Sequence, residues 1–229
     1  MKKIEKLRAK MCIPADASKG YIMKTIEEIA EILKNECVIK YRNEEYRILD
    51  FEFYFFNKNH LDISVHPRNS KALSWYINEF GGIDLNFESS IEREMVKKSK
   101  TWSFKYNLTN NSYYGGILIR QIQKLSGDKE IFDGPLKVAE LFRVLDATNH
   151  NQNNPVLEMK SLDKKAFIKG KRHNLLGSYK NKENKYKAKA DYNIKEWFIK
   201  VSESQKREIV DEFASFAESE EYHFAVNDL

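Results

Sequence analysis

Cysteine is nearly absent: Cys12 and Cys37 are the only two in 229 residues. Two thiols exclude a disulfide framework and a four-cysteine zinc site, and they suit a reducing cytoplasm. Four prolines and nine glycines provide no Pro/Gly-rich linker, and no internal repeat or low-complexity tract divides the chain. No stretch approaches the roughly 18 apolar residues of a membrane span, and MKKIEKLRAKMCIPADASKG at the start has no apolar signal core. The expectation is a cytoplasmic chain without a membrane partner, in which the sequons at Asn107 and Asn110 go unused. A GxSxG elbow, a Walker phosphate loop and a GxGxxG turn are all missing, so none of these marks a serine hydrolase, a P-loop enzyme or a dinucleotide fold.

Hydrophobic residues make up 41% of the chain and charged ones 32%, enough for one solid core beneath an ordinary surface. The net charge of +5 is unevenly spread. Residues 160–189 hold eleven Lys/Arg against Asp163 and Glu183, a balance of +9 that leaves −4 for the rest. Such a block points to an anionic partner, and Lys164, Lys169, Lys171, Arg172, Lys180 and Lys182, interleaved with Phe167 and Tyr179, suit backbone phosphates. A solvated lysine-rich surface is the plainer alternative.

Apolar spacing predicts a helix over Thr25–Lys34 (Ile26, Ile29, Ala30, Leu33), preceded by a loop around Pro14 and Gly20. A short strand at 37–39 and a turn at Tyr41–Glu45 lead into a long strand, Glu45–Asn57. Further strands are expected at Leu73–Phe80, Gly82–Phe87, Gly115–Ile122 and Glu196–Val201, with 91–114 as loop. Helices are expected from Pro135 toward Leu145, with Leu136 in the apolar stripe, and over Ser204–Ser219. This order predicts a single-domain α+β fold with a mainly antiparallel, curved sheet flanked by helices, not the βαβα alternation of a doubly wound fold. The boundaries expected are an N-terminal extension (1–24), a main domain (25–201) with a basic insertion near 160–190, and a C-terminal amphipathic helix and tail (202–229).

Alternation on the long strand is the most informative local pattern. Leu49, Phe51, Phe53 and Phe55 share one face; Ile48, Asp50, Glu52, Tyr54 and Phe56 share the other. A glutamate enclosed by aromatics can hold or accept a proton, as general acid–base chemistry requires, although two carboxylates could simply face water. Arg120 interrupts the apolar GGILIRQI and demands an anionic partner if buried. Asp84 and Asn86 interrupt GIDLNF in the same way. Convergence of these faces would make a polar pocket, with a structural ion-pair network as the competitor. His60, Asp62 and His66 have a spacing that could hold a metal, giving a metal-dependent hydrolase as a rival reading, while His150, His173 and His223 look isolated. No cofactor is expected.

Several segments together resemble the alkyladenine (methylpurine) DNA glycosylases. RILDFEFY (47–54) is similar to that family's R/G-I-V-E-T-E-A-Y strand, DISVHP (62–67) to its D-x-A-x-H segment, and GGIDLNF (81–87) to its Y-G-M…N strand. GGILIRQI (115–122) resembles its A/G-x-V-L-I-R-A-L strand and DGPLKVAELFRV (133–144) its G-P-x-K-L-C-x-A-L helix. The order is collinear over about 25–146. The resemblance implies a monofunctional DNA glycosylase, acting on duplex DNA with a flipped base. It implies Glu52 as the base that activates water and Arg120 as its organiser. Tyr54 and His66 would stack on the flipped base, with Asn86 or Asp84 screening it. The family's wedge hairpin has no clear counterpart, and Phe80 is the nearest candidate. The base could be an alkylated purine or a bulkier modified base, in repair or in defence against foreign DNA. A non-catalytic nucleic-acid-binding module on the same scaffold is the other alternative.

Overall fold

The computed structural model describes residues 3–78, 81–98, 101–142, 154–173, 202–219 and 221–226. The expected strand at 196–201, Phe80, Lys180, Lys182 and the helix end near Leu145 lie outside the described residues.

The first helix, α1 (Lys3–Lys10), buries Leu7 and leads through the buried Met11 and Ile13. Helix α2 spans Lys19–Glu36, starting well before Thr25. Ser18 caps it by accepting from the Tyr21 N–H, a donor the helix itself cannot satisfy. Gly20 thus falls in the first turn, where it is tolerated, and Ile22 extends the stripe of Ile26, Ile29, Ala30 and Leu33. Both helices join the main core cluster, which takes in Leu7, Met11, Ile13, Ala17 and Ile22 beside the strands.

Strands β1 (Cys37–Tyr41) and β2 (Glu44–Asn57) pair antiparallel about a turn at Arg42 and Asn43. The remaining strands of the main sheet are β3 (His60–Leu61), β4 (Trp75–Ile77), β5 (Ile83–Asn86), β8 (Tyr114–Lys124), β9 (Ile131–Asp133), β10 (Val156–Met159), β11 (Phe167–Gly170) and β12 (His223–Val226). All ten pair antiparallel, in the order β10-β1-β2-β8-β5-β4, with β12 on β2, β11 on β12, β3 on β2 and β9 on β8. The molecule is therefore α+β with an antiparallel sheet, and the segment 202–229 contributes a strand to it as well as a helix. Helices α3 (Pro135–Phe142) and α4 (Glu203–Glu218) complete the four helices among the described residues. None is long and apolar enough to cross a membrane.

The segment 91–114, expected as loop, instead holds a separate hairpin, β6 (Glu92–Lys98) with β7 (Thr101–Asn107). Leu136, expected in the apolar stripe of α3, is exposed, while Val138, Ala139 and Phe142 face inward.

Strand pairing sorts the side chains into rows. Phe51–Ile119–Ile83 and Phe53–Ile117–Leu85 run across β2, β8 and β5 on one face and are buried. Phe224 of β12 stacks on Phe51 with ring centres 5.7 Å apart and meets Phe53 edge-on at 5.4 Å. Burying each such side chain contributes roughly 1.5–3 kcal/mol. The register shifts on both sides of Asp50. Ile48 and Ile122 beyond it join the same core cluster as Phe51 and Ile119, so Ile48 does not share the polar face expected for it.

His60 shows how polar groups are built into this core. Its Nδ1 lies 2.7 Å from the Phe55 carbonyl oxygen and its Nε2 lies 2.8 Å from the Tyr222 hydroxyl. A carbonyl can only accept, so Nδ1 carries the proton and neutral Nε2 accepts from Tyr222. Burial lowers the His60 pKa from 6.5 to about 4, against the pull of Asp62. The unfolded chain therefore binds more protons between about pH 6.5 and 4. The stabilisation from neutral His60 is complete above 6.5 and is lost as pH falls through that window, to the extent of about 3 kcal/mol. Denaturant midpoints measured from pH 7.5 to 4 should show this slope, and His60→Gln should flatten it.

Candidate active site

The opposite face of the sheet carries a polar row. Pairing sets Gly170, His223, Glu52, Leu118, Asp84 and Tyr76 side by side across β11, β12, β2, β8, β5 and β4. The next row holds Tyr54, Gly116 and Asn86. The sequence-predicted Glu52, Tyr54, Asp84, Asn86 and Arg120 thus share one face of neighbouring strands.

Glu52 is fully buried and is held from several sides. Its Oε2 accepts from the Tyr54 hydroxyl at 2.5 Å. Its Oε1 accepts from the His173 backbone N–H and from His173 Nδ1, both at 2.7 Å, and Arg120 Nη1 stands 3.3 Å away. Arg120 Nε also lies 3.9 Å from Asp50, whose other oxygen is 2.7 Å from His223 Nε2. Charge-assisted bonds of this kind are short and directional, so the carboxylate has one position. Burial and the adjacent Glu52 push the Tyr54 phenol well above its usual range. His173, bonded to the buried Glu52, has 44% of its own side chain exposed.

Asp84 sits further along the row, 3.0 Å from Arg68, with Asn78 donating to it at 3.2 Å. Burial pushes the Asp84 carboxyl up despite that arginine. Arg68 crosses Gly116 to stack over Tyr76, 4.3 Å from the ring centre; a Cβ on residue 116 would overlap its guanidinium. Gly116→Ala should therefore push Arg68 off Asp84 and leave a buried carboxylate short of its cation. The expected loss is about 1–3 kcal/mol, read by chemical denaturation. Asn86 donates to Ser74 Oγ at 3.0 Å, and His66 is half-buried in the segment between β3 and β4.

Four expectations change. Arg172, read as a surface phosphate ligand, is buried: its Nη1 meets Asp62 at 2.6 Å, and its guanidinium lies 4.9 Å over Tyr54 and 5.0 Å over Tyr222. A face of Tyr54 expected to stack on a base is thus covered by Arg172. Lys169 pairs with Glu27, while Lys164 and Lys171 are exposed. Finally, the His60–Asp62–His66 metal reading fails because the two His60 nitrogens are bonded to Phe55 and Tyr222, and Asp62 to Arg172 and Ser64. The group able to hold a metal among the described residues is instead Glu52, His173 and His223. Both histidines looked isolated in the sequence, and no local signal joins them.

Sequence reading also missed the β6–β7 hairpin, which exposes Met95, Trp102 and Phe104. The alternation of Trp102, Phe104 and Tyr106 was its available signal. Arg93 lies over Phe104 at 4.4 Å. A cavity of about 250 Å³ lined by Phe56, Leu61, Leu108 and Ile209 shares no residue with the Glu52 cluster.

No family model and no solved structure matches the chain. It is similar to an uncharacterized protein of Acanthamoeba polyphaga mimivirus, 31% identical over 114 residues, covering 47% of this chain. The chain spans about half the length of that relative, 51%.

Proposed function

We propose that the protein is a monofunctional DNA glycosylase that hydrolyses the N-glycosidic bond of a flipped, modified base. The observation that carries this reading is Glu52: a carboxylate buried on the polar face of the sheet, fixed by Tyr54 and Arg120, and bonded to the partly exposed His173. With the target nucleotide extruded from the duplex, a water takes the place of His173 on Glu52. Its oxygen bonds to the anomeric carbon as the C–N bond breaks and the electron pair leaves with the base. Glu52 accepts the water proton, and its charge faces the positive charge developing on the sugar, as in glycoside hydrolysis. Arg120 holds the carboxylate in line.

Lys164 and Lys171 offer exposed charge for phosphates, and the β6–β7 hairpin adds aromatics beside Arg93 and Lys97. Stacking on Trp102 would be sequence-tolerant. Trp102→Ala should weaken duplex binding by about 1–3 kcal/mol, measured by fluorescence anisotropy.

The deciding experiment incubates the protein with duplexes carrying alkylated purines or bulky modified bases and detects free base by mass spectrometry. Release from at least one substrate is expected. Binding to DNA without release from any of them would reduce the protein to a binding module.

A further inference from the structure

We infer that Glu52, His173 and His223 form a binding site for a single divalent transition-metal ion of the zinc class, with Asp50 orienting His223. The three side chains come from β2, the segment after β11, and β12, and each offers a donor atom within 4.8 Å of the other two. Bonds of about 2.0–2.2 Å to a tetrahedral zinc place donors roughly 3.4 Å apart, so modest side-chain rotation closes the set. Two imidazoles with one carboxylate suit that ion, and a further position stays open to water beside half-exposed His173.

Existing hydrogen bonds already arrange the donors. Nδ1 of His173 and Oε1 of Glu52 share a proton at 2.7 Å. An ion bound to both atoms takes the place of that hydrogen. Asp50 engages His223 Nε2 at 2.7 Å, which leaves Nδ1 as the lone-pair donor. A carboxylate behind a ligating imidazole fixes its tautomer in this way. Gly170 faces that nitrogen, where a Cβ would stand 2.7 Å from Nδ1. The two imidazole rings meet nearly perpendicular with centres 4.6 Å apart. Charge favours a cation, because two carboxylates, Asp50 and Glu52, share the guanidinium of Arg120.

This site goes beyond the proposed hydrolysis but shares Glu52 with it, and an ion there takes up the lone pairs that would activate water. The test uses the full chain, stripped with a chelator and titrated calorimetrically with Zn²⁺ alone, with Co²⁺ absorption as a second readout. One ion per chain is expected. Asp50→Asn should bind about 10- to 100-fold more weakly, and His173→Ala should lose the site. His173 lies at the exposed edge, so a melting curve unchanged from wild type will show that this variant folds. Cys12→Ser, removing an exposed thiol, should bind as wild type does. Failure of the wild type to bind zinc stoichiometrically, or undiminished binding by His173→Ala, would overturn the assignment. Base release without zinc binding would sink only the metal site; zinc binding without base release would sink only the hydrolysis.

Discussion

Glu52→Gln should cut base release by roughly 10²- to 10⁴-fold, the span typical of losing a positioned general base, and leave duplex binding within about threefold of wild type. Glutamine has the shape of glutamate: with its carbonyl oxygen in the Oε1 position it still accepts from the His173 backbone N–H, and its amide nitrogen can donate to the Tyr54 hydroxyl in the Oε2 position. What it lacks is the ability to take a proton. Arg120 loses one of its two carboxylates but keeps Asp50 and is partly open to water, so the fold should survive. Single-turnover release and equilibrium binding, measured on the same duplex, separate the alternatives. Release at the wild-type rate would remove Glu52 from the chemistry. Loss of binding in step with release would mean that Glu52 matters for the surface and not for the reaction.

The second large effect concerns stability and is asymmetric. Asp62→Asn should destabilise the protein by about 3–5 kcal/mol, and Arg172→Met by only about 1–3 kcal/mol. Both partners are buried and 2.6 Å apart, but they have different reserves. The Asp62 carboxylate also accepts from the Ser64 hydroxyl at 2.5 Å, the Ser64 N–H at 3.1 Å and the Phe55 N–H at 3.4 Å. Without its arginine it still has three donors. Arg172 keeps the Phe53 carbonyl and Ser64 Oγ, both at 3.2 Å, but among the described residues its Nε and Nη2 have no hydrogen-bond partner. Removing Asp62 leaves a full charge inside the protein with two acceptors and two aromatic faces. In thermal unfolding the Asp62→Asn shift should be on the order of 10 °C. An Arg172→Met variant as unstable as Asp62→Asn, or more so, would contradict this account.

The fold was legible where burial is periodic and local. The stripe of α2 and the alternating aromatics of β2 each report one buried face, and the antiparallel arrangement follows from their order. That Glu52, Tyr54, Asp84 and Arg120 share one face of the sheet was legible because each is a polar break in an otherwise apolar strand. Arg172 was misplaced because charge counting treats every cation as solvated, and its carboxylate lies 110 residues away. His173 and His223 were set aside for the same reason: their partners are distant in sequence. The β6–β7 hairpin buries little, so the signal that reveals core strands is weak in it. The shift at Asp50 has no sequence mark, and Ile48 was assigned by simple parity.

The polar row also has a history in time. Asp50 is made 173 residues before the His223 it bonds, and Glu52 precedes His173 by 121. Contacts so far apart close late in folding. Until β12 docks, the Asp50–Glu52 stretch of β2 is an open strand edge, with Phe51 beside it lacking the cover of Phe224. Open edges of this kind invite pairing with other chains. A nascent chain therefore carries this stretch uncovered until residues 223–226 have been made, and the strand that brings His223 to Asp50 is also the one that covers the segment.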